Sequence, residues 1–169
     1  MSALATARTE IAQTLRDADP ENADASQAIL DQAMLRHILD AHGGTLPAVI
    51  HVCFANTGRE MPATLDFVED CAQRWSVPIV WLEYDSDAPH HTRIVTHAGA
   101  SRDGEPFRAV IAARGFLPNP VTRCCTSELK IRRMKTFMYR TCGYQHWLNV
   151  VGLRADEMRR VVILWGRAP

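Results

Sequence analysis

Three short clusters of polar residues hold the side chains best suited to chemistry. In Asn56-Thr57-Gly58-Arg59-Glu60 the glycine permits close backbone approach, and a helix starting just after it offers free amides to an anion or polar ligand. An ordinary strand-to-helix turn has the same composition. In Arg123-Cys124-Cys125-Thr126-Ser127-Glu128-Leu129-Lys130, followed by Arg132, Arg133 and Lys135, Thr126 or Ser127 can cap a helix while Arg123 and Lys130 supply cations. That pattern suits phosphate or sulfate. Thiols beside cations and helix starts are activated as thiolates, so Cys124 and Cys125 are candidate nucleophiles. A solvated basic helix face above two inert core thiols accounts for the same residues equally well. In Gly152-Leu153-Arg154-Ala155-Asp156-Glu157, Arg154 can hold an anion, and Asp156 or Glu157 can orient it or bind a metal. A surface ion-pair turn has the same makeup. His90-His91 sits in a loop without a third ligand at metal spacing.

The elements that must position these clusters alternate between strand and helix. Ala48 to Ala55 is nearly all apolar, as a strand buried on both faces of a parallel sheet reads. Pro62 suits a first helical turn, and Leu65, Phe67, Val68, Cys71, Ala72 and Trp75 give that helix an apolar side. Pro78 to Tyr84 is the next strand, completing a βαβ unit with parallel strands. Open α/β sheets bind ligands beyond the carboxyl ends of their strands, where the clusters fall. Upstream, helices are predicted over Leu4 to Ala18 and over about Ala25 to Ala41. The second has Ile29, Met34, Ile38 and Ala41 on one face and His42-Gly43-Gly44 as its stop. Downstream, Arg93 to Thr96 reads as a short strand, Pro106 to Arg114 as a short helix, Ser127 to Thr141 as a helix and Trp147 to Leu153 as a last strand.

Composition sets the bounds. The 169 residues suit one core, and 47% apolar with 22% charged residues is the balance of a folded globular chain. Nineteen basic residues match nineteen acidic ones, which disfavours general nucleic-acid binding. The longest apolar runs are much shorter than a membrane helix and the start is not a signal peptide, so the expectation is a cytoplasmic protein without a membrane partner. Five cysteines without a CxxC pair argue against a disulfide framework and against a four-thiolate zinc or iron–sulfur site.

Together the blocks resemble the 3′-phosphoadenosine-5′-phosphosulfate (PAPS) reductase family, a branch of the adenine nucleotide α-hydrolase-like (PP-loop) superfamily. Phe54 to Val68, continuing through Trp75 to Glu83, is similar to its "(D/N)TG, helix, aromatic-x-(V/L)P strand" block. Arg123 to Lys130 resembles its C-T-x-x-(L)K loop, and Val151 to Glu157 its GxRxxE motif, over roughly residues 35 to 160. The resemblance implies a Rossmann-like three-layer α/β fold with a mostly parallel sheet, comprising residues 25–169 after a variable extension, 1–24. It implies a site for an adenine nucleotide such as PAPS, adenylyl sulfate or ATP, built from Asn56, Thr57, Gly58, Arg123, Thr126, Lys130, Gly152, Arg154 and Glu157. It also implies thiol-dependent sulfur or nucleotidyl chemistry at Cys124 or Cys125, a thioredoxin-like reductant, Mg²⁺ if ATP is the ligand, and compatibility with a homodimer.

The departures from the family matter as much. Where its members carry a glycine-rich SGG(K/R)(D/T)S loop, this chain has Ser26-Gln27-Ala28 with Asp31 following. Both glycines are missing, and side chains replace backbone that should approach phosphate. The family's C-terminal ECGLH-like tail has no counterpart after the GxRxxE block. A non-catalytic nucleotide-binding or regulatory protein on the same scaffold, and a truncated or frame-altered product, are the alternatives these departures raise.

Overall fold

The computed structural model describes residues 23–119 and 124–152. These fall in two compact units, one spanning Pro47–Leu148 and the other holding 23–46 and 149–152. The predicted helix over Leu4 to Ala18 lies outside the described residues.

In the second unit, helix α1 runs Ala23–Ala41. The predicted stop is present: Gly43 and Gly44 have φ of 70° and 89°, and the Gly44 amide returns to the Leu39 carbonyl at 2.8 Å. The buried stripe is Gln32, Leu35 and Leu39. Of the predicted face, Met34 and Ile38 are half-buried and Ala41 is exposed, while Ile29 lies outside the residues whose side chains are described. Arg36 and Asp40 pair along the exposed side at 2.7 Å.

The larger unit is built on a three-stranded sheet in the order β1 (Val52–Asn56), β2 (Ile79–Tyr84), β3 (Thr92–Val95). Helix α2 (Pro62–Trp75) connects β1 to β2, which run parallel in the register Val52↔Ile79 to Asn56↔Glu83. Pro62 opens α2 as predicted, and Ser76 closes it in the left-handed region (φ 53°) with its amide on the Ala72 and Gln73 carbonyls. The buried face of α2 is Thr64, Leu65, Val68 and Cys71, while Phe67 stays exposed. Leu65 and Val68 pack with Trp81 and Ala100, flanked by Phe54, Ile79 and Val95. The Phe54 and Trp81 rings, paired across β1 and β2, lie 4.7 Å apart.

The sheet is mixed rather than mostly parallel, because β3 runs antiparallel to β2 with Trp81↔Val95 and Tyr84↔Thr92 opposed. Residues 85–91 are too few for the crossover that a parallel return requires, so the chain doubles back directly. Positive φ angles at His90 and His91 make that reversal. Helix α3 (Glu105–Arg114) follows, and a continuous helical stretch over 124–141 packs against β1 and β2. That stretch is wound as π-helix over Thr126–Ile131, as α4 over Arg132–Thr136 and as π-helix again over Phe137–Thr141. Tyr84, Val110 and Leu129 form a second apolar cluster, joined by Phe107, Ala109 and Cys125.

The strand predicted over Trp147 to Leu153 does not form in its described part, 147–152. Leu148, Val150 and Val151 are exposed. An apolar run becomes a strand only in ladder register with another strand, which its own pattern does not specify.

Candidate functional site

The site grows from the carboxyl ends of β1 and β2, where Asn56 stands opposite Glu83 and both are fully buried. Asn56 Nδ2 donates to Glu83 Oε1 at 2.7 Å and to the Ser101 carbonyl at 2.8 Å, while its Oδ1 accepts the Gly58 amide at 2.9 Å. Glu83 also accepts the Ser101 amide at 2.7 Å, the Ser101 hydroxyl at 2.9 Å and Arg93 Nη2 at 2.8 Å. A buried carboxylate is tolerable when its oxygens are filled in this way. This pair fixes the turn after β1 to the loop that opens α3.

The turn is closed from within. Gly58 has φ of 74°, and a Cβ there would meet Pro106 Cδ at 2.9 Å and Gly104 Cα at 3.1 Å. The close approach that this glycine permits is therefore to the chain's own 104–106 segment. Glu60 takes the anion position at the turn, accepting the Thr57 amide at 3.0 Å, the Arg59 amide at 3.2 Å and the Thr57 hydroxyl at 2.9 Å. A small concave nest that suits an anion thus exists here, and a side-chain carboxylate occupies it.

In the second cluster, Arg123 lies outside the described residues. Cys124 is 7% exposed, and Cys125 is half-buried in the Tyr84–Val110–Leu129 cluster. Thr126 and Lys130 are exposed. Ser127 donates to the Cys124 carbonyl at 3.2 Å, so its hydroxyl does not act as the predicted cap for a backbone amide. The Thr126–Ile131 segment packs against β1 and β2, which brings this cluster to the same strands as Asn56. Of the third cluster, Gly152 is half-buried in the second unit, and Arg154, Asp156 and Glu157 lie outside the described residues. Ser26, Gln27, Ala28 and Asp31 stand in the helical backbone of α1.

Sequence reasoning missed a second group around Tyr84, the last residue of β2. The His91 ring stacks on the Tyr84 ring at 5.6 Å, and the Arg133 guanidinium lies 5.1 Å from its centroid. Arg133 is 3% exposed and donates to the carbonyls of His90 and His91. Beside it, buried Glu128 pairs with Arg114 and, at 3.4 Å, with Arg132. The doubled arginine at 132–133 and the acid four residues before it were the available signal.

The five cysteines are free thiols. Burial is the main reason that Cys53, pushed up to about 11, and Cys71 and Cys142, both raised, hold their protons; the neighbouring Cys142 adds to the shift at Cys53. Among the described residues no three histidine, cysteine or acidic side chains converge to hold a metal, and no helix is long and apolar enough to cross a membrane. Comparison with protein-family models, with curated proteins and with solved structures finds no match to this chain.

Proposed function

We propose that the chain binds an adenine nucleotide bearing a sulfate or phosphate group, of the PAPS, adenylyl sulfate or ATP kind, across the carboxyl ends of β1 and β2. The supporting observation is the Asn56–Gly58 turn, held by the buried Asn56–Glu83 pair where open α/β sheets take their ligands. The Thr126–Ile131 segment packs against the same strands. In this reading Thr57 and Gly58 border the nucleotide and Lys130 neutralises the sulfate or phosphate; Arg123 and Arg154 carry that role only in the family resemblance and lie outside the described residues. The fold would be a variant of the Rossmann-like adenine nucleotide α-hydrolase type.

The burial of Cys124 and the packing of Cys125 favour a binding protein over a thiol-dependent reductase or transferase, because a nucleophilic sulfur must be reachable by the group it attacks. Calorimetric titration with 3′,5′-ADP, PAPS and ATP tests the reading. The expected result is saturable binding that Lys130→Ala weakens by about tenfold, the size of one charge-assisted contact. Absence of binding to the folded protein overturns it. Thiol labelling separates the two classes: rapid modification of Cys124 or Cys125 in the native state restores the enzyme.

A further inference from the structure

The arginines around Tyr84 are under-compensated. Among the described residues Glu128 is the one carboxylate that pairs with these arginines, with Arg114 and Arg132. Among the described residues Arg133 is bonded only to backbone carbonyls and to the Tyr84 ring, and its Nε is buried without a partner there. A buried guanidinium with no carboxylate of its own is costly to keep and marks a place where negative charge is welcome. Burial lowers the Arg133 pKa below the usual arginine value; Tyr84 opposes that shift and the Arg132 charge adds to it.

Next to this excess of positive charge is a cavity of about 240 Å³ whose walls include Tyr84, His91, Val110, Arg114, Glu128 and Arg132. Among the described residues two guanidiniums and one carboxylate line it, a positive balance. Its volume falls below the roughly 300–1,000 Å³ of sites that enclose a drug-sized ligand. It therefore suits a small ion or the end-group of a larger molecule. Tyr84 closes β2, which puts the cavity at the carboxyl end of that strand.

We propose that this cavity is a binding site for a small tetrahedral oxyanion, taken either as free phosphate or sulfate or as the phosphoryl end-group of an aryl phosphate. Arg132, the more exposed of the two wall arginines, supplies the contact by turning from Glu128 to the anion, and Arg114 keeps the Glu128 carboxylate neutralised. Arg133 adds its field from behind the Tyr84 ring. The site does not use Asn56, Thr57, Gly58 or Lys130 and does not depend on the nucleotide reading, although its Glu128 stands in the same Thr126–Ile131 segment as Lys130.

Titration of the full chain with inorganic phosphate and with phenyl phosphate, followed by calorimetry, tests this. Arg132→Gln removes the contact, and Ala113→Trp fills the cavity from the exposed side of α3 without changing charge. Arg74→Gln, on the exposed side of α2, is the control. The expected result is saturable one-site binding of both probes, weakened by about tenfold or more in Arg132→Gln and Ala113→Trp and unchanged in Arg74→Gln. Tighter binding of phenyl phosphate would assign the site to an end-group, and equal binding to the free anion. Absence of saturable binding, or equal binding in all three variants, means an adventitious ion only and overturns the proposal.

Discussion

Glu83→Gln is the most informative single change, because it keeps the shape of the side chain and removes only its charge. Oε1 faces two obligate donors, the Asn56 amide and the Ser101 backbone N–H, so the new NH₂ cannot sit there without losing both bonds. It must take the Oε2 position. The Ser101 hydroxyl can rotate there to accept, but Arg93 loses its acceptor. The two retained bonds fall from charge-assisted to neutral strength, about 1 kcal/mol each. Arg93 is 45% exposed, so water replaces much of what it loses and that pair counts for about 0.5 kcal/mol. The sum is about 2–3 kcal/mol, a large part of the stability of a domain this size. Urea unfolding should show a lower midpoint with an unchanged slope. A loss below about 0.5 kcal/mol would refute the assignment of this pair as the anchor of the turn.

Gly58→Ala should cost about 2 kcal/mol or more, since it adds left-handed strain to a 2.9 Å contact with Pro106; a melting temperature within a degree of the parent would contradict this. Glu60→Ala empties the nest at the turn, so nucleotide affinity by calorimetry should rise; a fall would show that Glu60 itself contacts the ligand. Stability should also decline in alkali. The native Cys53 thiol holds its proton up to about 11 while the unfolded one ionises near 9.0, so its contribution is complete below the lower value and is lost as pH climbs to the higher. Unfolding midpoints measured across that range should fall, and Cys53→Ala should flatten the slope; an identical slope in the variant would remove Cys53 as a cause.

Local patterns were legible in the sequence where local physics decides. Pro62 and the i, i+3 spacing of Leu65, Val68 and Cys71 predict α2, and the apolar run Ile79 to Leu82 predicts β2. Long-range pairing was not. Nothing local in Trp147 to Leu153 says whether a strand is available to pair with it, and it reads as a strand though 147–152 does not form one. On α1, two helical stripes are apolar, and burial falls on the one containing Gln32. The direction of β3 follows from the shortness of the preceding connection, a constraint the periodicity of β3 itself does not carry. At the site, Asn56 and Gly58 stand out by type and position, but their partners Glu83 and Ser101 come from 27 and 45 residues away. The Tyr84 group was hidden for the same reason: Arg133 reaches His90 and His91 across more than 40 residues.

The most direct test of the nucleotide-binding reading is a titration of ¹⁵N-labelled protein with 3′,5′-ADP, followed amide by amide. The account predicts saturable shifts at Thr57 and Gly58 and through Thr126 to Lys130, converging on one dissociation constant. A folded protein whose amides at these positions do not move at saturating nucleotide would contradict it.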